Sequence, residues 1–189
     1  MSKEFKAKII VITGEKGCGK TTLCEWCASE FQSRKLDVAG LISITNSEDH
    51  QKTKIKVRDI RSGEAHVLAE RLNTFDLSSM TPRWKFDPRI LEWGNKQLNT
   101  TVPCDLLIID ELGLMEFNHQ KGWMNTFPIL IGKKYRLAVL VIRPQLLSIA
   151  HEILGEFHIL EVNEKDRSTN RKKLDEIVSE NLDSNLSEH

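Results

Sequence analysis

The chain has 189 residues, with 27 Lys and Arg against 27 Asp and Glu, and so no formal net charge. Hydrophobic residues make up 40% and charged residues 29%, a globular composition; at this size about 70% of the unfolded surface can be buried without disulfides. These figures exclude a disordered or fibrous chain and argue against a non-specific nucleic-acid binder, which needs a positive balance.

Taken in chain order, the basic stretch Met1–Lys8 is followed by an apolar run of only Ile9–Ile12, too short for a secretory signal. Ile9–Thr13 predicts a buried strand and Thr21–Phe31 the helix after it. Val38–Ile44 predicts a second strand. Thr53–Ile60 alternates apolar and charged residues, and Arg61–Glu64 is a turn signal. With Ala65–Ala69 as a short return strand, this predicts an antiparallel hairpin. Pro88–Asn99 has helical period, Cys104–Ile109 reads as a third buried strand, and His119–Ile131 as another helix. Leu137–Ile142 is a fourth buried strand, Pro144–Leu154 a helix, His158–Val162 a fifth strand and Thr169–Leu182 a closing helix.

Short, wholly apolar strands alternating with helices predict an α/β fold: a mainly parallel sheet covered on both faces. The expected organisation is one domain over residues 1–182 with 183–189 as a frayed tail. The longest purely apolar run, Leu137–Ile142, falls far short of the roughly 20 residues of a membrane span. Four cysteines without a secreted-type framework predict reduced thiols and a cytoplasmic location.

The phosphate-binding motif G-x-x-x-x-G-K-[ST] is present as Gly14, Glu15, Lys16, Gly17, Cys18, Gly19, Lys20 and Thr21, followed by Thr22. The glycines let successive N–H groups turn toward one point, at the positive end of the following helix. Lys20 is expected to reach the β- and γ-phosphates of a nucleoside triphosphate, Thr21 to bind Mg²⁺, and Thr22 to donate to the α-phosphate. The predicted strand before and helix after are the context this motif requires.

The apolar strand Cys104–Ile109 ends in Asp110 and Glu111. Beside a phosphate loop, Asp110 suits the Mg²⁺ site and Glu111 the carboxylate that orients attacking water. Two solvated acids at a strand end are the plain alternative.

These residues resemble a family, the small P-loop nucleoside-triphosphatases that include thermophile and cancer-related members. The resemblance runs through Gly14–Leu23, Gly40–Ser43, Asp59–Glu64 with Leu68 and Ala69, and Trp84–Pro88 with Leu91. Its most specific piece is Ile109–Glu116, against the family's D-E-x-G-x-M-E. Val162–Glu164 with Asn170 and Arg171 is a looser match. It implies Mg²⁺-dependent hydrolysis of nucleoside triphosphates with broad base tolerance, in a three-layer, RecA-like arrangement with added antiparallel strands. It further implies that Gly113 turns the chain and Glu116 caps or braces the loop. The sequence departs from the family at Thr45–His50, which lacks the arginine found there.

Arg143, after the fourth strand, is a candidate to sense the γ-phosphate or stabilise the transition state; a surface arginine is the alternative. Arg167, Arg171, Lys172 and Lys173 flank the last helix start, as an anion site or a solvated basic turn. Cys24 and Cys27 read as small buried residues rather than metal ligands. Trp84, Trp93, Trp123 and Phe127 are either core residues or base-stacking surfaces. Two rival functions stay open: a kinase for a small molecule, against which stands the lack of an arginine-rich lid, and a slow nucleotide-gated module. The module's partner protein would meet the hairpin or the acidic tail.

Overall fold

A computed structural model describes residues 7–44, 53–75 and 82–183. In chain order the strands are β1 (Lys8–Thr13), β2 (Val38–Ile44), β3 (Lys54–Asp59), β4 (Ala65–Phe75), β5 (Pro82–Phe86), β6 (Cys104–Leu112), β7 (Tyr135–Ile142) and β8 (His158–Glu161). The helices are α1 (Lys20–Ser33), α2 (Pro88–Leu98), α3 (Leu114–Phe117), α4 (Thr126–Gly132), α5 (Leu147–Leu154) and α6 (Arg167–Asp183). They build an 8-stranded sheet of order β5-β4-β3-β2-β6-β7-β1-β8. From β2 to β8 the pairs are parallel, and from β2 to β5 antiparallel.

The parallel strands are apolar throughout because both faces are covered. Ile10, Ile12, Leu106, Ile108, Leu137, Val139 and Val141 lie in one core, shared with Leu23, Phe31, Leu174 and Val178 of α1 and α6. The alternate residues Val11, Leu107, Ile109, Ala138, Leu140 and Ile142 lie in the other, with Leu98, Phe117, Ile129, Leu130 and Ala150 of α2 to α5. Period-two alternation thus divides the strands between two helical layers, and the result is the expected three-layer α/β arrangement.

At the seam between β2 and β6 the backbones are closer than a side chain allows. A Cβ on Gly40 would meet Ile108 O at 1.9 Å, so only glycine fits there.

The structure extends several sequence expectations. The hairpin is a three-stranded meander: β4 runs on to Phe75, and Trp84–Phe86, for which no strand is expected from the sequence, forms part of β5 against it. The strand expected to stop at Ile109 continues to Leu112, which regains pairing with Ile142 after a register shift. The helix expected over His119–Ile131 is shorter, spanning Thr126–Gly132, with the turn α3 before it. Gln120 and Gly122 have φ of 50° and 78°, left-handed values that a helix cannot hold, so the apolar period there was misleading. Pro144–Leu146 is a 3₁₀ turn leading into α5. Thr45–His50 and the tail beyond Asp183 lie outside the described residues.

Candidate active site

The phosphate loop joins β1 to α1, as its sequence requires. Gly17 and Gly19 have φ of 86° and 102°, open to solvent on the side where a side chain would project. Gly14 is tight instead: with φ 142°, a Cβ there would lie 2.2 Å from Val162 O. No side chain caps α1, so its first amides are left for an acceptor from outside the helix. Glu15, Lys16 and Gly17 are exposed, and Cys18 is buried beneath them.

Lys20 is buried, and its Nζ donates to Gly14 O at 2.7 Å and Glu15 O at 2.8 Å, with Cys18 Sγ 3.8 Å away. Both carbonyls belong to the loop itself, so the ammonium already points at the centre of the cradle.

Asp110 sits on β6, two strands from β1, and is 2% exposed. Its carboxylate hydrogen-bonds the Thr21 hydroxyl, while its Oδ2 is buried without a partner. Burial pushes the carboxyl up to about 7; the Thr21 contact opposes this and the Glu111 charge adds to it. Ser43, on β2, fixes the backbone by donating from Oγ to Asp110 O at 2.7 Å. A hydroxyl beside a carboxylate with an unpartnered oxygen is a set of hard oxygen donors that fits Mg²⁺, which takes few protein ligands and completes its shell with phosphate and water. Among the described residues no group of three or more His, Cys, Asp and Glu side chains could hold a metal alone, so Mg²⁺ here would need the phosphates.

Glu111, the next residue of β6, is partly open to solvent. Arg143 reaches it from the end of β7: its Nε donates to Glu111 Oε1 at 2.5 Å. The structure therefore brings Arg143 to the carboxylate, 32 residues away in sequence. No local pattern could have shown that pairing.

Behind Glu111, Glu116 is buried. Its Oε2 accepts the Gly113 N–H at 2.8 Å and its Oε1 the Trp123 N–H at 2.9 Å. Burial pushes this carboxyl up, and the two amides offset part of that. Glu116 so ties the turn after Glu111 to the segment before α4. Trp123 in turn fills the space over Gly94 of α2, where a Cβ would meet its ring at 2.3 Å. The motif at Ile109–Glu116 suggested a brace; the Trp123 amide as its second anchor was not legible in sequence.

The aromatic candidates fall elsewhere. Trp84 lies on β5, six strand spacings from β1 in the sheet order, or about 29 Å, too far to stack a base held at the loop. Trp93 meets His66 edge-on at 4.5 Å, and Phe127 meets Phe117 at 5.8 Å, as core aromatics do. Cys24 and Cys27 are buried in the α1 layer, where burial pushes the Cys27 thiol up to about 12. In the basic turn, Arg167 pairs with Glu164 at 3.5 Å and Lys172 with Glu176 at 3.9 Å, the compensated arrangement of a solvated surface. No helix among the described residues is long and apolar enough to cross a membrane.

A family model described as NTPase matches residues 9–178. Nucleoside-triphosphatase THEP1 from Methanosarcina barkeri is 26% identical over 160 residues, covering 84% of this chain and 90% of that protein. The protein of the same name from Caldivirga maquilingensis is 26% identical over 130 residues, 69% of this chain and 73% of its own. Two solved structures share the fold at 16% identity. The crystal structure of THEP1 from the hyperthermophile Aquifex aeolicus gives a TM-score of 0.65 over 90% of this chain and 98% of its own. The solution structure of a human cancer-related nucleoside triphosphatase gives 0.67 over 92% and 98%.

Proposed function

The chain belongs to the NTPase family, and from that premise we propose that it is a nucleoside-triphosphatase whose hydrolysis of ATP, GTP and related triphosphates to diphosphate and phosphate depends on Mg²⁺. The observation that carries this reading is the buried, unpartnered Oδ2 of Asp110 beside Thr21, at the start of a helix that no side chain caps. A buried carboxylate oxygen without a partner is costly to keep; a metal held between it and a nucleotide's phosphates accounts for its presence. The chain works as one unit over residues 1–182.

The parts act as follows. The loop amides from Gly14 to Thr22 donate to the phosphate oxygens, and Lys20 exchanges its two loop carbonyls for β- and γ-phosphate oxygens. Thr21 and Asp110 would hold Mg²⁺, which would supply positive charge to offset that of the phosphates. Glu111 orients a water in line with the γ-phosphate and takes its proton on a carboxylate oxygen. Arg143 stands on Glu111 Oε1; turning toward γ-phosphate charge, it frees that oxygen for water and stabilises charge in the transition state.

The test is phosphate release from ATP, GTP, CTP and UTP, with and without Mg²⁺, for wild type and Glu111→Gln. Mg²⁺-dependent release without any acceptor is expected, which separates hydrolysis from transfer to a small molecule. Glu111→Gln should lower turnover by about 10²- to 10⁴-fold and leave ADP binding intact. Unchanged turnover in the variant removes Glu111 from the reaction, and release independent of Mg²⁺ removes the metal role of Asp110.

A further inference from the structure

If the nucleoside-triphosphatase reading holds, the sheet order gives the direction of the bound nucleotide. Asp110, Glu111 and Arg143 stand at the ends of β6 and β7, on one side of β1 in the run β6-β7-β1-β8. The γ-phosphate end lies toward them, so the nucleoside leaves the loop on the β8 side. The segment after β8 is built against the loop. Val162 N–H donates to Thr13 O at 2.8 Å, and Val162 O takes the space that a Cβ on Gly14 would need.

On that side, Thr22 is exposed on the first turn of α1 and half-buried Trp26 lies one turn further along the same face. The Arg171 guanidinium, early in α6, lies over the Trp26 ring at 5.8 Å from its centroid. Among the described residues no carboxylate pairs with Arg171. Asp175, one turn on, is taken by Arg34 at 2.7 Å. An exposed guanidinium resting on a half-buried indole presents a flat surface of the kind on which nucleobases stack.

The nearby polar side chains are committed to one another. Asn163 Nδ2 donates to Asp166 Oδ2 at 2.6 Å, and Asn163 Oδ1 accepts the Lys165 N–H at 3.0 Å. Asn170 Nδ2 is spent on Asn163 O at 3.0 Å. These groups shape the segment and leave little to read a base edge.

We propose that Trp26 and Arg171 form the platform on which the nucleobase of the bound nucleotide stacks. Held by its face, a purine covers more of this surface than a pyrimidine, and adenine and guanine are held alike.

The test compares equilibrium binding of ADP and of inorganic pyrophosphate, each with Mg²⁺, to wild type, Arg171→Ala, Trp26→Leu and Trp26→Phe. Arg171→Ala and Trp26→Leu should weaken ADP by about five- to tenfold, the lower end of what a lost stacking contact costs, and leave pyrophosphate unchanged. Trp26→Phe should stay near wild type, and CDP should bind wild type more weakly than ADP or GDP. Loss of ADP and pyrophosphate affinity together, or unchanged ADP affinity in Arg171→Ala, overturns the platform. Arg171 is exposed, so that variant decides the matter even if Trp26→Leu unfolds. Binding of ADP without hydrolysis of ATP refutes the hydrolase reading alone; no ADP binding at all refutes both.

Discussion

Beside the phosphate loop charged side chains are buried, whereas on the β3-β4 meander, apart from the buried Asp59 that holds the turn at Ser62, charged pairs lie nearer the surface. Lys20, Asp110 and Glu116 are each less than a tenth exposed. Lys20 and Glu116 meet backbone groups, and Asp110 keeps an oxygen without a partner. Along the meander, Lys54 faces Glu70 at 3.2 Å and His66 faces Glu64 at 2.7 Å; of the four only His66 is partly buried. Exposed pairs contribute little to stability, whereas buried charges cost several kcal/mol to keep. The difference separates a part of the fold arranged for binding and chemistry from a part whose charge serves solubility and strand register.

The comparison can be broken first at Glu116. Glu116→Leu leaves the Gly113 and Trp123 amides buried without an acceptor and should destabilise the protein by about 2–5 kcal/mol, read by urea unfolding. Glu116→Gln retains one acceptor and should cost less. If Glu116→Leu proves as stable as wild type, the buried carboxylate is not a brace.

Asp110 sharpens the contrast through pH. Its carboxyl ionises at about 7 in the folded protein, against about 4 in an unfolded chain. The protonated form therefore favours the fold; that contribution is complete below about pH 4 and is lost as pH rises through 7. Asp110→Asn should gain stability over wild type by about 1–3 kcal/mol at pH 8 and less at pH 5.5, while losing the Mg²⁺ dependence of nucleotide binding. An equal gain at both pH values contradicts the raised ionisation.

The smallest effect belongs to the meander. Lys54→Ala removes one exposed pair and should change unfolding free energy by less than about 1 kcal/mol, with turnover unchanged. A larger loss would mean that the exposed end carries more of the stability than its charges suggest.

Much of the site was legible because it is local. Gly14 to Thr22 need only their own spacing, and Asp110 and Glu111 announce themselves as acids closing an apolar run. The alternation of apolar strands with helices was enough for the layered architecture. What stayed hidden depends on residues far apart in the chain. Arg143 finds Glu111 only when β7 lies beside β6, and Arg171 finds Trp26 only when α6 docks on α1. Nor could β5 be read, since Trp84–Phe86 is too short to show a period before Pro88 starts the helix. Between His119 and Asn125 the apolar spacing suggested a helix that Gln120 and Gly122 interrupt by their backbone conformation.

The sheet order also bears on how the molecule assembles. The meander pairs near neighbours, Arg58 with Ala65 and Lys54 with Glu70, so its loops close cheaply and early. The phosphate loop hangs from β1, whose partners lie across most of the chain: Lys8 pairs with Leu137 and Ile10 with His158. During synthesis β1 emerges first and then waits for β7 and β8. The nucleotide cradle is thus among the last parts to acquire its shape, and nucleotide binding reports on a chain whose fold is complete.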